Sequence, residues 1–222
     1  MEQISEYVIV SDFDGTITIE DSTVELVNNC GNAENDRIEV DFIAGTLSNR
    51  DAMAQHFEAL KISLADFTDF IKANINIDPT FDTFLMETGR LGVSLNIVSA
   101  GYCQTVETVL GDKRLQGVDI YANVLAGEPY VKSISATAEP ACDKAFGPCG
   151  NCKRDCMRAI RHKSGKKLIF IGDGLTDRCA ASEADLFFAK DALARYCNEQ
   201  NLPYIPYKNF NDILNYLGLS NS

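Results

Sequence analysis

Two aspartates separated by one residue, Asp12 and Asp14, sit in the pentapeptide Asp12-Phe13-Asp14-Gly15-Thr16. Carboxylates at i and i+2 of an extended segment point toward the same side. Such a pair can divide nucleophilic from acid/base work when its surroundings push the two pKa values apart. Asp and Gly are also turn residues, so the pentapeptide alone reads equally well as a polar exit from a strand. Two further carboxylates, four residues apart, stand in Gly172-Asp173-Gly174-Leu175-Thr176-Asp177. Carboxylate oxygens on such a turn suit magnesium, which takes one or two of them and completes its shell with water and anionic ligands. Between these segments lies Ser99-Ala100-Gly101. A hydroxyl with backbone N–H groups at a helix N-terminus can hold an anion, and a plain turn is the competing reading.

The elements around these segments must bring them together. Residues 8–10 form an apolar, β-branched run that reads as a buried strand ending in a sharp loop at Asp12. Residues 21–77 carry helical patterns and no strand. Ser22 with Glu25 suggests a capping box, Ser48 with Asp51 and Ser63 with Asp66 are weaker start signals, and Asp78-Pro79 suggests an N-cap followed by a first helical proline. Phe81, Phe84, Leu85 and Leu91 then recur at helical spacing. A strand over 94–98 should turn at Ala100-Gly101 into a helix through Leu110, and 120–124 with 130–134 reads as a hairpin around Gly127-Glu128-Pro129. The pattern ends with a helix over 151–163 (Cys152, Cys156, Ala159 and Ile160 on one face), a buried strand over 168–171, a helix over 175–183, short strands over 186–188 and 204–207, and a last helix over 211–217.

Strands alternating with helices predict an α/β fold, a Rossmann-like doubly wound parallel sheet. The helical stretch after the first strand is too long for a crossover. It reads as a helical cap domain of the C1 type over 20–78, inserted into a core domain of 1–19 and 79–222 and lying over the carboxyl ends of the strands, where such sheets bind ligands.

A chain of 222 residues buries roughly 70 % of its unfolded surface, so no staples are needed. No apolar run is long enough to span a bilayer, and the first residues lack an apolar signal core, which makes a cytoplasmic location the default. A net charge of −12 repels nucleic acid and anionic membranes, so neither is expected as a partner. The basic residues cluster at Lys153, Arg154, Arg158, Arg161, Lys163, Lys166 and Lys167, either around a small anion or as a solvated helix face. Of eight cysteines, Cys30, Cys103, Cys179 and Cys197 read as small apolar fillers. Cys142, Cys149, Cys152 and Cys156 could hold zinc or form a disulfide, but reduced packing cysteines are favoured. His56 and His162 are isolated and receive no catalytic role.

The four segments together, in this order, resemble the motifs of the haloacid dehalogenase superfamily, and the likeness covers nearly the whole chain. It implies that Asp12 is the nucleophile and Asp14 the general acid/base. An acid at position 14 points to phosphatases or phosphomutases rather than dehalogenases or ion pumps. Ser99, with Ala100 and Gly101, would hold phosphoryl oxygens. The superfamily lysine falls on Lys153, after Cys149-Gly150-Asn151-Cys152, with Lys144, Lys163, Lys166 and Lys167 as competitors. Mg2+ would be held by Asp12, Asp173 and the backbone carbonyl of Asp14. Asp177 would hold a metal-bound water or orient Lys153, and Thr16 would support the ligands. A monoester brings about two negative charges and Asp12, Asp173 and Asp177 three more, which the ion and Lys153 offset.

The helical insert resembles subfamily IB, the phosphoserine phosphatase-like branch. Within it, Asp12 to Asp21, the Cys-rich approach to Lys153 and residues 171–207 are most similar to the methionine-salvage phosphatases of 2-hydroxy-3-keto-5-methylthiopentenyl-1-phosphate. Asp21 (or Glu20) matches an acidic substrate-binding position. The arginine that reads a substrate carboxylate falls near Ala54 or Gln55, with Arg50 one turn away, which disfavours phosphoserine. Phosphoethanolamine and phosphocholine phosphatases share the Cys-rich segment and stay as alternatives, and a non-catalytic phosphometabolite-binding protein is the alternative of another class. The expected partner is a small phosphorylated metabolite, and the chain is expected as a monomer or homodimer.

Overall fold

Val8 and Val10 point to one side of the first strand and Ile9 to the other, and all three are buried. An apolar strand buried on both faces is the mark of a central parallel strand. In a computed structural model that describes residues 4–136 and 147–219, β1 (Tyr7–Ser11) pairs in parallel with β2 (Leu95–Tyr102) and β5 (Lys167–Gly172). With β3 (Asp119–Ala126), β4 (Lys132–Ile134), β6 (Leu186–Ala189) and β7 (Ile205–Pro206) they form a seven-stranded sheet of order β4-β3-β2-β1-β5-β6-β7. Only the β3–β4 hairpin is antiparallel among these pairs. The fold is thus the doubly wound sheet expected from the sequence.

One face carries α5 (Phe81–Arg90), α6 (Cys103–Arg114) and α10 (Phe210–Leu217), with Phe81, Phe84, Phe210 and Leu214 packed on Ile9, Ile169 and Ile171. The other carries α7 (Lys153–Ser164), α8 (Arg178–Ala181) and α9 (Asp191–Glu199), with Met157, Ile160, Leu193 and Cys197 packed on Val8, Val10, Leu168 and Phe170. Strand residues therefore alternate between two cores, as the period of two requires.

Between β1 and α5 run α1 (Ser22–Cys30), α2 (Ala33–Ile43), α3 (Asn49–Leu60) and α4 (Leu64–Asn74). α1, α3 and α4 share a third core in which Leu26, Phe57, Phe67 and Ile71 pack with Tyr102, Leu125 and Val131. The rings of Phe57 and Tyr102 meet edge-on at 4.9 Å. The chain leaves and re-enters the sheet layer at one place, where Thr18 bridges Ile77 in antiparallel fashion. No helix among the described residues is long and apolar enough to cross a membrane.

Several local expectations need correction. The N-cap of α1 is Asp21, whose carboxylate accepts the N–H groups of Thr23 and Val24. Ser22 is already the first helical residue, so the Ser22–Glu25 box does not form. Ser48 and Ser63 do cap α3 and α4. Asp78 caps no helix; its Oδ1 closes a turn onto Thr80, and α5 begins at Phe81. The segment over 175–183 is a 3-10 turn, Leu175–Asp177, followed by α8. α7 buries Lys153, Cys156, Met157 and Ile160, while Ala159 faces solvent. The buried lysine rotates the face by one position. α9 escapes the apolar pattern, because it buries only Leu193 and Cys197, one turn apart.

Candidate active site

β1, β2 and β5 are adjacent, and their carboxyl ends deliver Asp12, Ser99 and Asp173 to one point. The chain order reverses across β1, and such a switch point opens a crevice above the strand ends. Asp12 Oδ1 accepts the Phe13 N–H at 2.7 Å and lies 2.7 Å from Lys153 Nζ. Lys153 Nζ also donates to Asp177 Oδ1 at 2.6 Å. The side chains of Asp12, Lys153 and Asp177 are all nearly inaccessible to solvent. Lys153 gets there because it opens α7 on the helix's buried face. The competing Lys163 instead pairs with Asp119 on the surface; Lys144 lies outside the described residues.

Ser99 Oγ accepts the Gly101 N–H at 2.8 Å and stands 3.5 Å from Asp14 Oδ2. The expected helix N-terminus is not here. β2 runs on to Tyr102 with an irregular register against β3, and α6 starts only at Cys103. Residues 99–101 are therefore an irregular strand end, held by side chains. Asn151 Nδ2 donates to the carbonyls of Ser99 and Tyr121, and Asn123 Nδ2 donates to that of Ala100. Both asparagines are buried, and neither is assigned a role by the motifs that mark the site. The only available signal was an Asn two residues before the lysine.

Two glycines let backbone and carboxylates meet. Gly15, at φ +72°, would place a Cβ 2.5 Å from Asp173 Oδ2. A Cβ on Gly101 would come within 2.6 Å of Asp14 Oδ2. Asp173 Oδ1 accepts the Thr16 hydroxyl at 2.6 Å, so Thr16 stands behind this carboxylate. Asp14 Oδ1 accepts the Ser22 N–H at 2.9 Å.

One oxygen each from Asp12, Asp173 and Asp177 lies within 4.8 Å of the others. Three acids and one ammonium leave the site short of positive charge. Burial, and then the Asp177 charge, push Asp173 up to about 7. Burial, with Asp177 and Asp173 adding to it, also raises Asp12. For Lys153 burial works against the charged form, but Asp12 and Asp177 outweigh it and the ammonium is held above its ordinary range. Burial, then the charge of Asp21, lifts Asp14 to about 6. The donor set fits a hard divalent cation, which takes carboxylate oxygens and supplies the missing charge.

Above these groups lies a cavity of about 480 Å³ walled by α1, α2 and α3. Asp21 lines it while capping α1, whereas Glu20 is turned to Asn76. Lys153 is the sole Lys or Arg on its wall among the described residues. Arg50 turns to Asp51, and neither Ala54 nor Gln55 lines the cavity, so no place expected for a carboxylate-reading arginine reaches it. Val24, Val27, Phe42, Ala52 and Met53 give the wall an apolar stretch.

Most of the basic cluster is a solvated helix face: Arg158 pairs with Glu183 and Arg161 with Asp185. Cys142 lies outside the described residues. Cys149, Cys152 and Cys156 form no disulfide with one another, and no cysteine cluster able to hold a metal occurs among the described residues.

A family model described as "Putative Phosphatase" matches residues 7–194. The 2-hydroxy-3-keto-5-methylthiopentenyl-1-phosphate phosphatase of Geobacillus thermodenitrificans is 30 % identical over 214 residues, covering 96 % of each chain. The Pdp3-interacting factor 1 of Schizosaccharomyces pombe is 27 % identical over 221 residues, covering 96 % of this chain and 95 % of its own. Among solved structures, a substrate-bound phosphoserine phosphatase complex superposes with a TM-score of 0.71 at 18 % identity, over 94 % of this chain and 97 % of the other.

Proposed function

The chain belongs to this phosphatase family, and we propose that it hydrolyses a small phosphate monoester through an aspartyl-phosphate on Asp12. What supports this most is the convergence of Asp12, Ser99, Lys153 and Asp173 at the floor of one cavity. Residues 20–78 would serve as the cap that encloses the substrate.

Asp12 Oδ1 meets the Phe13 N–H and Lys153; one oxygen of this carboxylate would attack phosphorus while the other would face the ion. The Gly101 N–H and the Ser99 hydroxyl lie beside Asp14, on the side where phosphoryl oxygens would be held. Asp14, lifted to about 6, would give its proton to the departing alkoxide. It would then take one from the water that opens the aspartyl-phosphate. Lys153, held by Asp177, would offset charge as the bond to Asp12 forms. Asp12, Asp173 and the carbonyl of Asp14 would hold Mg2+, whose chemistry is to neutralise the phosphoryl oxygens and let a carboxylate approach them.

The apolar wall formed by Val24, Val27, Phe42, Ala52 and Met53 suits an ester with a thioether or alkyl end. The relatives named for 2-hydroxy-3-keto-5-methylthiopentenyl-1-phosphate make that compound the first substrate to test. Phosphate release from it, from phosphoserine and from phosphoethanolamine, with and without Mg2+, is the deciding assay. The proposal expects Mg2+-dependent release, strongest from the first ester, and absent from an Asp12→Asn variant. No release from any phosphorylated metabolite would end it.

A further inference from the structure

His56 sits in the middle of α3, 4 % exposed, and lines the cavity above Asp12. Its tautomer is set by Asn35. The Oδ1 of Asn35 accepts from the backbone N–H of Asn32, which can only donate. Its Nδ2 lies 3.1 Å from the carbonyl of His56, which can only accept. The two backbone partners therefore fix which end of the Asn35 amide is NH2. That same Nδ2 lies 3.1 Å from His56 Nδ1, so Nδ1 accepts and the proton of the neutral ring belongs on Nε2. The nearest acceptor recorded for Nε2 is Glu39 Oε2 at 3.7 Å, longer than a hydrogen bond. This donor stands on the wall of the site, with the half-exposed Glu39 as its nearest recorded partner.

Burial outweighs the nearby Glu39 charge and lowers the His56 pKa, which favours the neutral ring. The rest of this wall presents Asp21, Asp36 and Glu39 and, among the described residues, no Lys or Arg besides Lys153 at the floor. A carboxylate placed here would meet like charge with no counter-ion. An uncharged oxygen would meet a preset donor.

We propose that the Nε2–H of His56 is the specificity donor of this site, binding a carbonyl or hydroxyl oxygen on the non-phosphate end of the ester. Asn35 is its positioning residue. The inference rests on the hydrolytic reading above and deepens it to a class: oxygenated, carboxylate-free phosphate monoesters.

Two measurements test it. In 15N-histidine spectra at pH 8, with His56→Gln assigning the signal against His162, ring nitrogens of the Nε2–H tautomer are expected. The Nδ1–H tautomer would overturn the proposal without any reference to activity. The second measurement compares ribulose 5-phosphate, an open-chain ketone, with n-pentyl phosphate, which has no oxygen beyond the phosphate. The wild type should favour the ketone in kcat/KM. His56→Leu should cut that preference about three- to tenfold, the worth of one hydrogen bond, and His56→Gln should restore much of it. Hydrolysis of both esters with no preference, or an equal fall on both in His56→Leu, removes the subsite and leaves the Asp12 chemistry standing. Release from neither ester, with phosphate still released from the methylthio ester, removes the subsite alone; release from no phosphorylated metabolite removes the Asp12 chemistry with it.

Discussion

Asp177 gives one oxygen to the Lys153 ammonium at 2.6 Å and the other to the N–H groups of Asp173 and Gly174, each at 3.0 Å. Both of its oxygens are thus engaged, which supports a role in orienting Lys153 and the turn over that of an ion ligand. Asp173 accepts from Thr16 through Oδ1, and Oδ2 is the oxygen it could offer an ion.

This separates two substitutions of similar shape. Asp173→Asn should raise the Mg2+ concentration needed for half-maximal phosphate release about 10- to 100-fold, and Asp177→Asn should leave it nearly unchanged while lowering kcat by a similar factor. Magnesium titrations of both variants check this, and equal shifts would place Asp177 among the ligands.

Gly101→Ala would force a methyl group to within 2.6 Å of Asp14 Oδ2 and 3.2 Å of Ser99 Oγ. The acid/base carboxyl must then move. Displacements of this size cost about 100-fold in turnover. The melting temperature should change little, because the contact is with side chains at the cavity floor. Steady-state kinetics beside a thermal melt checks both halves.

The ion-free site should make stability fall with rising pH. Asp14 and Asp173 hold protons up to about 6 and about 7 in the folded chain, against roughly 3.9 when unfolded. The folded state thus binds more protons between about pH 4 and 7, and that stabilisation is lost as pH rises through the window. Mg2+ favours the ionised carboxylates, so its stabilising effect should be larger at pH 8 than at pH 5. Melts with chelator and with Mg2+ across this range test the sign.

Asn151→Ala should strip the carbonyls of Ser99 and Tyr121 of their shared donor. Leaving a buried polar group unpaired costs about 1–3 kcal/mol, which corresponds to a drop of several degrees in melting temperature. The slack should also weaken competitive inhibition by inorganic phosphate, because the Ser99 loop no longer has a fixed position. A lower melting temperature with unchanged inhibition would show that Asn151 only supports the fold.

The parts legible in the sequence were those where one residue type meets one local need. The apolar run of β1 announces a buried strand, and acids at its end announce a site. Asp12, Asp14, Ser99, Lys153 and Asp173 could be listed from motif order, and the structure gathers them. What stayed hidden depends on partners distant in the chain. Asn151 and Asn123 matter because of carbonyls 52 and 23 residues away. His56 gains its meaning only from Asn35, 21 residues upstream, through an amide that two backbone groups orient. The buried face of α7 was misread because an ammonium occupies a place that apolar spacing reserves for carbon.

The bridge between Thr18 and Ile77 has a consequence for how such a molecule can diversify. Residues 19–76 depart and return through one doorway, with Ile19 N–H on the Asn76 carbonyl and Asp78 N–H on that of Ile17. An insertion whose ends already touch is joined to its host through that paired stem alone, and it packs on the host through Tyr102, Leu125 and Val131. A foreign helical bundle spliced in at the same stem would need an apolar face for Tyr102, Leu125 and Val131 to leave the strand ends, and the carboxylates they carry, where they are. The two short segments at Thr18 and Ile77 are therefore the natural seam for a graft of such a bundle.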